Sequence, residues 1–99
     1  MELKQFTYVR QVAESGSFTK AAAELFISQP ALSNYVSKVE EDLGVKLFDR
    51  SANPLKLTYA GEQYVKRAKA ILGQMEEMNR ELRGHHPSYD RASADRISE

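Results

Sequence analysis

Phe18-Thr19-Lys20-Ala21-Ala22-Ala23-Glu24-Leu25-Phe26-Ile27-Ser28-Gln29-Pro30-Ala31-Leu32-Ser33 reads as a short helix, a tight turn and the opening of a second helix. Three consecutive alanines leave room for another helix to cross close to the first. Ser28 can cap the second helix through its hydroxyl, and Pro30 fits a first turn, where no intrahelical N–H bond is lost. Leu32, Val36, Val39 and Leu43 then recur at helical spacing and form an inner face. The other side carries Gln29, Ser33, Asn34, Ser37 and Lys38, mostly short donors and acceptors. A helix buried on one side and polar on the other suits the major groove of DNA. The same pattern is also compatible with a plain three-helix core whose polar face meets water.

Around this corner the chain organises itself simply. Residues 2–15 predict a first helix with Leu3, Phe6, Val9 and Ala13 as its stripe, Val12 at the flank and Gly16 as its stop. Ser17 or Thr19 caps the next helix, and Phe26 and Ile27 are expected to bury the turn. The third helix spans residues 29–43 and ends at Gly44, with Val45 folding back onto Val39. Lys46-Leu47-Phe48-Asp49-Arg50 and Leu55-Lys56-Leu57-Thr58 flank Ser51-Ala52-Asn53-Pro54. That arrangement predicts a β-hairpin wing or, failing strand pairing, an irregular loop.

Thr58 can cap a long fourth helix to about residue 83. Tyr64, Ala68, Ile71, Met75, Met78 and Leu82 follow one another at heptad spacing, with Ala60 and Leu72 widening the seam. Such a helix is about 39 Å long at 1.5 Å per residue. It exceeds what so small a core can cover, so its far half calls for a partner. Gly84-His85-His86-Pro87-Ser88 breaks the helix, and residues 84–99 read as a polar, disordered tail.

Residues 1–84 resemble the N-terminal domain of LysR-type transcriptional regulators. The resemblance is carried by Gly16-Ser17-Phe18-Thr19, Ala21-Ala22, Ser28-Gln29-Pro30-Ala31-Leu32-Ser33, Leu43-Gly44, Leu47-Phe48-Asp49-Arg50, Leu57-Thr58 and Ala60-Gly61. It implies an all-α winged helix-turn-helix over residues 1–58, a three-helix core plus a short β-hairpin wing. A linker and dimerisation helix over residues 59–83 follows. It further implies double-stranded DNA as partner, an inverted-repeat site read by a homodimer, and a helix that pairs antiparallel with its copy. Family members continue into a larger effector-sensing domain, which this sequence does not include. Two departures stand out. Arginine often stands in the family where this chain has Asn34, with another basic residue near Ser37. The arginines common in family wings are missing from Ser51-Ala52-Asn53-Pro54. The first departure predicts a different or looser base preference, and the second a weaker minor-groove contact.

The expected groove-reading set is Gln29, Pro30, Ser33, Asn34, Ser37 and Lys38. Gln29 can bond adenine bidentately, and Pro30 can meet a thymine methyl. The expected phosphate set is Thr19, Lys20, Ser28, Arg50 and Lys56, the two hydroxyls lying near helix N-termini. For Arg50 an ion pair with Asp49 or a nearby glutamate is the competing expectation. The seam residues Tyr64, Ala68, Ile71, Met75, Met78 and Leu82 are the expected dimer contacts.

Charge argues the other way. The chain of 99 residues is neutral overall, with 14 Lys and Arg against 14 Asp and Glu. Residues 1–44 hold four basic against six acidic residues, and residues 45–58 hold three against one. Residues 59–84 hold five against four, and residues 85–99 two against three. The small positive excess sits at the wing, so binding by a monomer should be weak. Neutrality also fits an interaction module, including one that pairs with a full-length family member and holds it inactive. No cysteine is present, which excludes disulfides and thiolate metal sites. His85 and His86 are adjacent and do not converge on a metal. No activated nucleophile or phosphate loop is recognisable, so no enzyme and no cofactor are expected. The start of the chain lacks a signal-peptide pattern and no apolar run spans a bilayer, from which a cytoplasmic protein is expected.

Overall fold

Six elements follow one another: α1 (Leu3–Ser15), α2 (Phe18–Leu25), α3 (Gln29–Leu43), β1 (Phe48–Asp49), β2 (Lys56–Leu57) and α4 (Tyr59–Leu82). They are seen in a computed structural model that describes residues 1–84. Apart from Gly84, the expected polar tail lies outside the described residues. The helices enclose Val9, Val12, Ala21, Ala22, Leu32, Val36 and Val39, and the core closes with Leu47, Phe48 and Val65. Leu32, Leu47, Val9, Val12 and Val36 are fully buried. Each contributes about 1.5–3 kcal/mol by leaving water.

The helix ends follow the sequence closely. Ser17 caps α2 by accepting from the Lys20 N–H at 3.1 Å, which settles the choice between it and Thr19. Ser28 caps α3 by accepting from Ala31 N–H at 3.2 Å, and Pro30 sits in the first turn. Gly16 and Gly44 end α1 and α3 in the left-handed conformation that glycine adopts without strain. The Gln11 amide and Ser15 hydroxyl of α1 both donate to Glu24 of α2. These bonds, Ser15 first, hold the Glu24 carboxyl below its usual pKa. Across α1 and α3, Tyr8 and Tyr35 meet at 4.9 Å between ring centroids, with the Lys4 ammonium over both rings.

Three expectations about side-chain burial need correction. Leu3 is largely exposed and Val12 is wholly buried, because α2 and α4 both cover α1 and its buried arc reaches Phe6, Val9 and Val12. Phe26 does not bury the turn. It ends α2 with φ 61°, and its ring is 93% exposed. The Ile27 N–H reaches back to Ala22 O at 3.0 Å, so the backbone needs a left-handed residue at Phe26 to close the helix. Val45 donates to Glu40 O as such an ending requires, but its side chain stays exposed at a rim shared with Leu43 and Tyr59. The wing strands are only two residues each, paired antiparallel as Phe48 with Leu57 and Asp49 with Lys56. Ser51 folds onto the Asp49 carboxylate through its N–H and hydroxyl, which turns the chain at once.

The division expected after residue 58 falls inside packed structure. Thr58 caps α4 by accepting from Gly61 N–H, donates its own hydroxyl to Lys46 O, and donates its N–H to Leu47 O. The first turns of α4 therefore sit directly on the hairpin base. Gly61, Val65 and Ala68 are buried there. Ala68 is fully covered, and Tyr64 is half-buried with its ring on Phe6 at 5.6 Å, so the chain itself covers the first of these expected dimer contacts and part of the second. Burial pushes the Tyr64 hydroxyl up to about 12, and among the described residues it has no hydrogen-bond partner. The far half of α4 is exposed at Ile71 (38%), Met78 (50%) and Leu82 (65%), with Met75 and Leu72 half-buried. No helix among the described residues is long and apolar enough to cross a membrane.

Two stability predictions follow from backbone geometry. A Cβ at Gly61 would lie 1.9 Å from the Leu47 carbonyl oxygen, whereas one at Gly73 would meet nothing within 4 Å. Gly61→Ala should cost at least about 1–3 kcal/mol in denaturant unfolding, while Gly73→Ala should be neutral or stabilise by up to about 1 kcal/mol. Phe26→Gly should raise stability by about 1 kcal/mol, since it removes left-handed strain and loses no buried surface.

Candidate nucleic-acid interface

The N-terminal turn of α3 is open to solvent. Gln29, Pro30 and Ala31 are exposed in sequence, and Asn34 and Lys38 continue along the solvent side one helical turn at a time. Leu32, Val36 and Val39 anchor the opposite side in the core. Thr19 and Lys20 lie exposed in the first turn of α2, and Ser28 is exposed at the α3 cap. Having accepted from Ala31, the Ser28 hydroxyl keeps its own hydrogen to donate. Lys56 is exposed on β2, opposite Asp49 in the hairpin register.

Ser33 and Ser37 occupy the flank of α3 that faces the hairpin, and Arg50 lies along them. Its Nη1 donates to Ser33 Oγ at 2.7 Å, and its Nη2 donates to Ser37 Oγ at 3.1 Å and Ser33 O at 3.4 Å. The guanidinium carbon is 4.4 Å from the centre of the Phe18 ring. Phe18 in turn meets Phe48 edge-on at 5.7 Å. A free phosphate contact was expected of Arg50, but here three protein acceptors and an aromatic face already hold it. The competing ion pair is the one observed, and its partner is Glu40, at 3.7 Å from Nη2, rather than Asp49.

Glu40 is the residue that sequence reasoning missed. It is 3% exposed, and its Oε2 accepts from the N–H groups of Leu47 (2.7 Å) and Phe48 (3.2 Å). Among the described residues its Oε1 has no hydrogen bond, and it faces the Arg50 charge. A signal was present. Position 40 lies four residues after Val36 and three before Leu43, on the inner arc of the helix, where an unpaired carboxylate could not stay. Asn34, Ser37, Lys38, Glu41, Val45 and Lys46 line a shallow depression between the second half of α3 and the hairpin base. The structure thus brings Gln29, Pro30, Asn34 and Lys38 to one open face. Ser33, Ser37 and Arg50 form a single cluster beside it, while Thr19, Lys20, Ser28 and Lys56 remain separate exposed groups.

Known proteins share both the sequence and this geometry. Residues 3–62 match the family described as bacterial regulatory helix-turn-helix protein, lysR family. The chain is 42% identical over 78 residues to the probable cat1 operon transcriptional activator of Acinetobacter lwoffii, covering 79% of this chain and 26% of that protein. It is 39% identical over 80 residues to the transcriptional regulator TfdT of Cupriavidus pinatubonensis, covering 81% and 35% respectively. The chain therefore spans about a quarter to a third of the length of these curated relatives. Among solved structures, the BenM DNA-binding domain in complex with catB site 1 DNA superposes with a TM-score of 0.79 at 39% identity, covering 87% of this chain and 97% of that one. The CbnR DNA-binding domain in its DNA complex gives 0.77 at 36% identity, covering 85% and 97%. With a matched segment that takes in α1 to the start of α4, and solved winged helix-turn-helix domains of the same shape, this chain belongs to the LysR family of bacterial regulatory helix-turn-helix proteins.

Proposed function

We propose that this chain is a sequence-specific binder of double-stranded DNA, with α3 in the major groove and the hairpin as a wing on the backbone. The observation that carries the reading is the open, capped start of α3, where Gln29 and Pro30 project from a helix anchored by Leu32 and Val36. Gln29, Pro30, Asn34 and Lys38 form the base-facing set, with Ser33 and Ser37 on its flank beside the hairpin. Thr19, Lys20, Ser28 and Lys56, all exposed, form the phosphate-facing set. The similar DNA-binding domains of BenM and CbnR, solved as complexes with DNA, support DNA as the partner. The regulatory activity of a whole family member, including any effector, would require regions beyond the matched quarter to third.

A dimer through α4 completes the proposal. Ile71, Met75, Met78 and Leu82 are the apolar positions left outside the core, and an antiparallel copy of the same helix would cover them. Two α3 helices related by a two-fold axis would read an inverted repeat. The neutral net charge favours a second reading, an interaction module that pairs through the same helix and reads no DNA. Salt separates the two, because phosphate contacts weaken steeply as salt rises and apolar helix pairing does not.

Two measurements check this reading. Selection from a random duplex pool should return an inverted repeat, and Gln29→Ala should reduce the preference for it by about tenfold while leaving binding to random DNA unchanged. Equal losses on both would remove Gln29 from base reading. Met78→Glu should convert a dimer to a monomer in sedimentation equilibrium with helicity retained. A variant still dimeric would place the interface elsewhere.

A further inference from the structure

We infer that Arg50 is a specificity-positioning residue, held by buried Glu40 so that it sets the serines of α3 as hydrogen-bond donors, and not a phosphate contact. The inference rests on the DNA-binding reading above. A serine hydroxyl has one hydrogen to give and two lone pairs to accept with. Here Arg50 occupies a lone pair of Ser33 at 2.7 Å and of Ser37 at 3.1 Å. Each hydroxyl then keeps its hydrogen, and the neighbouring positive charge favours pointing that hydrogen away. A base meeting either serine is selected for an acceptor edge, such as purine N7, guanine O6 or thymine O4, over the exocyclic amines of adenine and cytosine.

Glu40 makes this arrangement rigid. Its carboxylate is bonded to two hairpin N–H groups and lies under the Arg50 guanidinium, while the Phe18 ring covers the guanidinium face. Ser33, Ser37 and Glu40 follow one another down a single flank of α3, so one arginine can bridge all three. A planar guanidinium can donate to both serines at once, whereas a lysine ammonium on its single stem acts as a point charge. That difference makes the inference separable from a simple phosphate role.

The test uses the whole chain, the duplex recovered by pool selection and a scrambled duplex of equal length, titrated across a salt series. Arg50→Ala and Arg50→Lys should both lose about tenfold of the preference for the selected duplex. The slope of log affinity against log salt should stay at the wild-type value in both. Lys56→Ala should instead lower that slope by about one and leave the preference intact. Glu40→Gln keeps an acceptor for the Leu47 and Phe48 N–H groups but removes the charge beneath Arg50. It should lose preference in the same direction even if Arg50→Ala fails to fold. Overturning results are a normal preference in Arg50→Lys, or a slope reduced by about one in Arg50→Ala with the preference kept. A wild-type chain that selects no sequence would overturn the DNA reading and this inference together. A selective wild type with unaffected Arg50 and Glu40 variants would overturn the inference alone.

Discussion

A carboxylate taken out of water is costly unless its oxygens find donors, and Glu40 places one between α3 and the first strand of the wing. One oxygen is satisfied by the Leu47 and Phe48 N–H groups. The other faces a guanidinium that is itself spread across two serines and an aromatic ring. The hairpin has only two residue pairs of its own and could not stand as an isolated ribbon. Its position relative to α3 depends on this buried charge, on Phe48 and Leu47 in the core, and on the start of α4 pressed against the Leu47 carbonyl.

That last contact explains why α4 is part of the domain and more than a tether. Thr58 closes three backbone groups at once, and Gly61 lets the helix approach where no side chain would fit. Val65 and Ala68 then continue the core under α1. One heptad pattern consequently serves two surfaces. Its early positions are buried in the chain itself, and its late positions, beyond about the third turn, extend past the core. A helix of 24 residues is about 36 Å long, and the core under it ends well short of that.

Phe26 illustrates a local compromise of the opposite kind. The turn between α2 and α3 demands a left-handed residue for the Ile27 N–H to reach Ala22, and an exposed phenylalanine occupies it. The helix ending is made by backbone bonds alone, so the side chain there is free of the core.

How much was legible in the residues follows the range of each interaction. Caps, helix stops and apolar spacing act within a turn or two of chain. Ser28, Gly16, Gly44 and Thr58 could therefore be read directly, and with them the order of four helices, the helix-turn-helix and the open face at Gln29. Periodicity located the α4 seam but not which of its positions the chain itself covers, because burial of Tyr64 and Ala68 depends on where α1 crosses. The Arg50 cluster was out of reach for the same reason. Its partners lie 10 to 17 positions away in sequence, and only the tertiary fold brings Ser33, Ser37, Glu40 and Arg50 within hydrogen-bonding or ion-pair distance. Residue identity and local spacing determined the elements and their ends. The packing of α4 and α3 around the hairpin decided which polar groups stay open to solvent and which hold one another, since that depends on distances the chain sets only after folding.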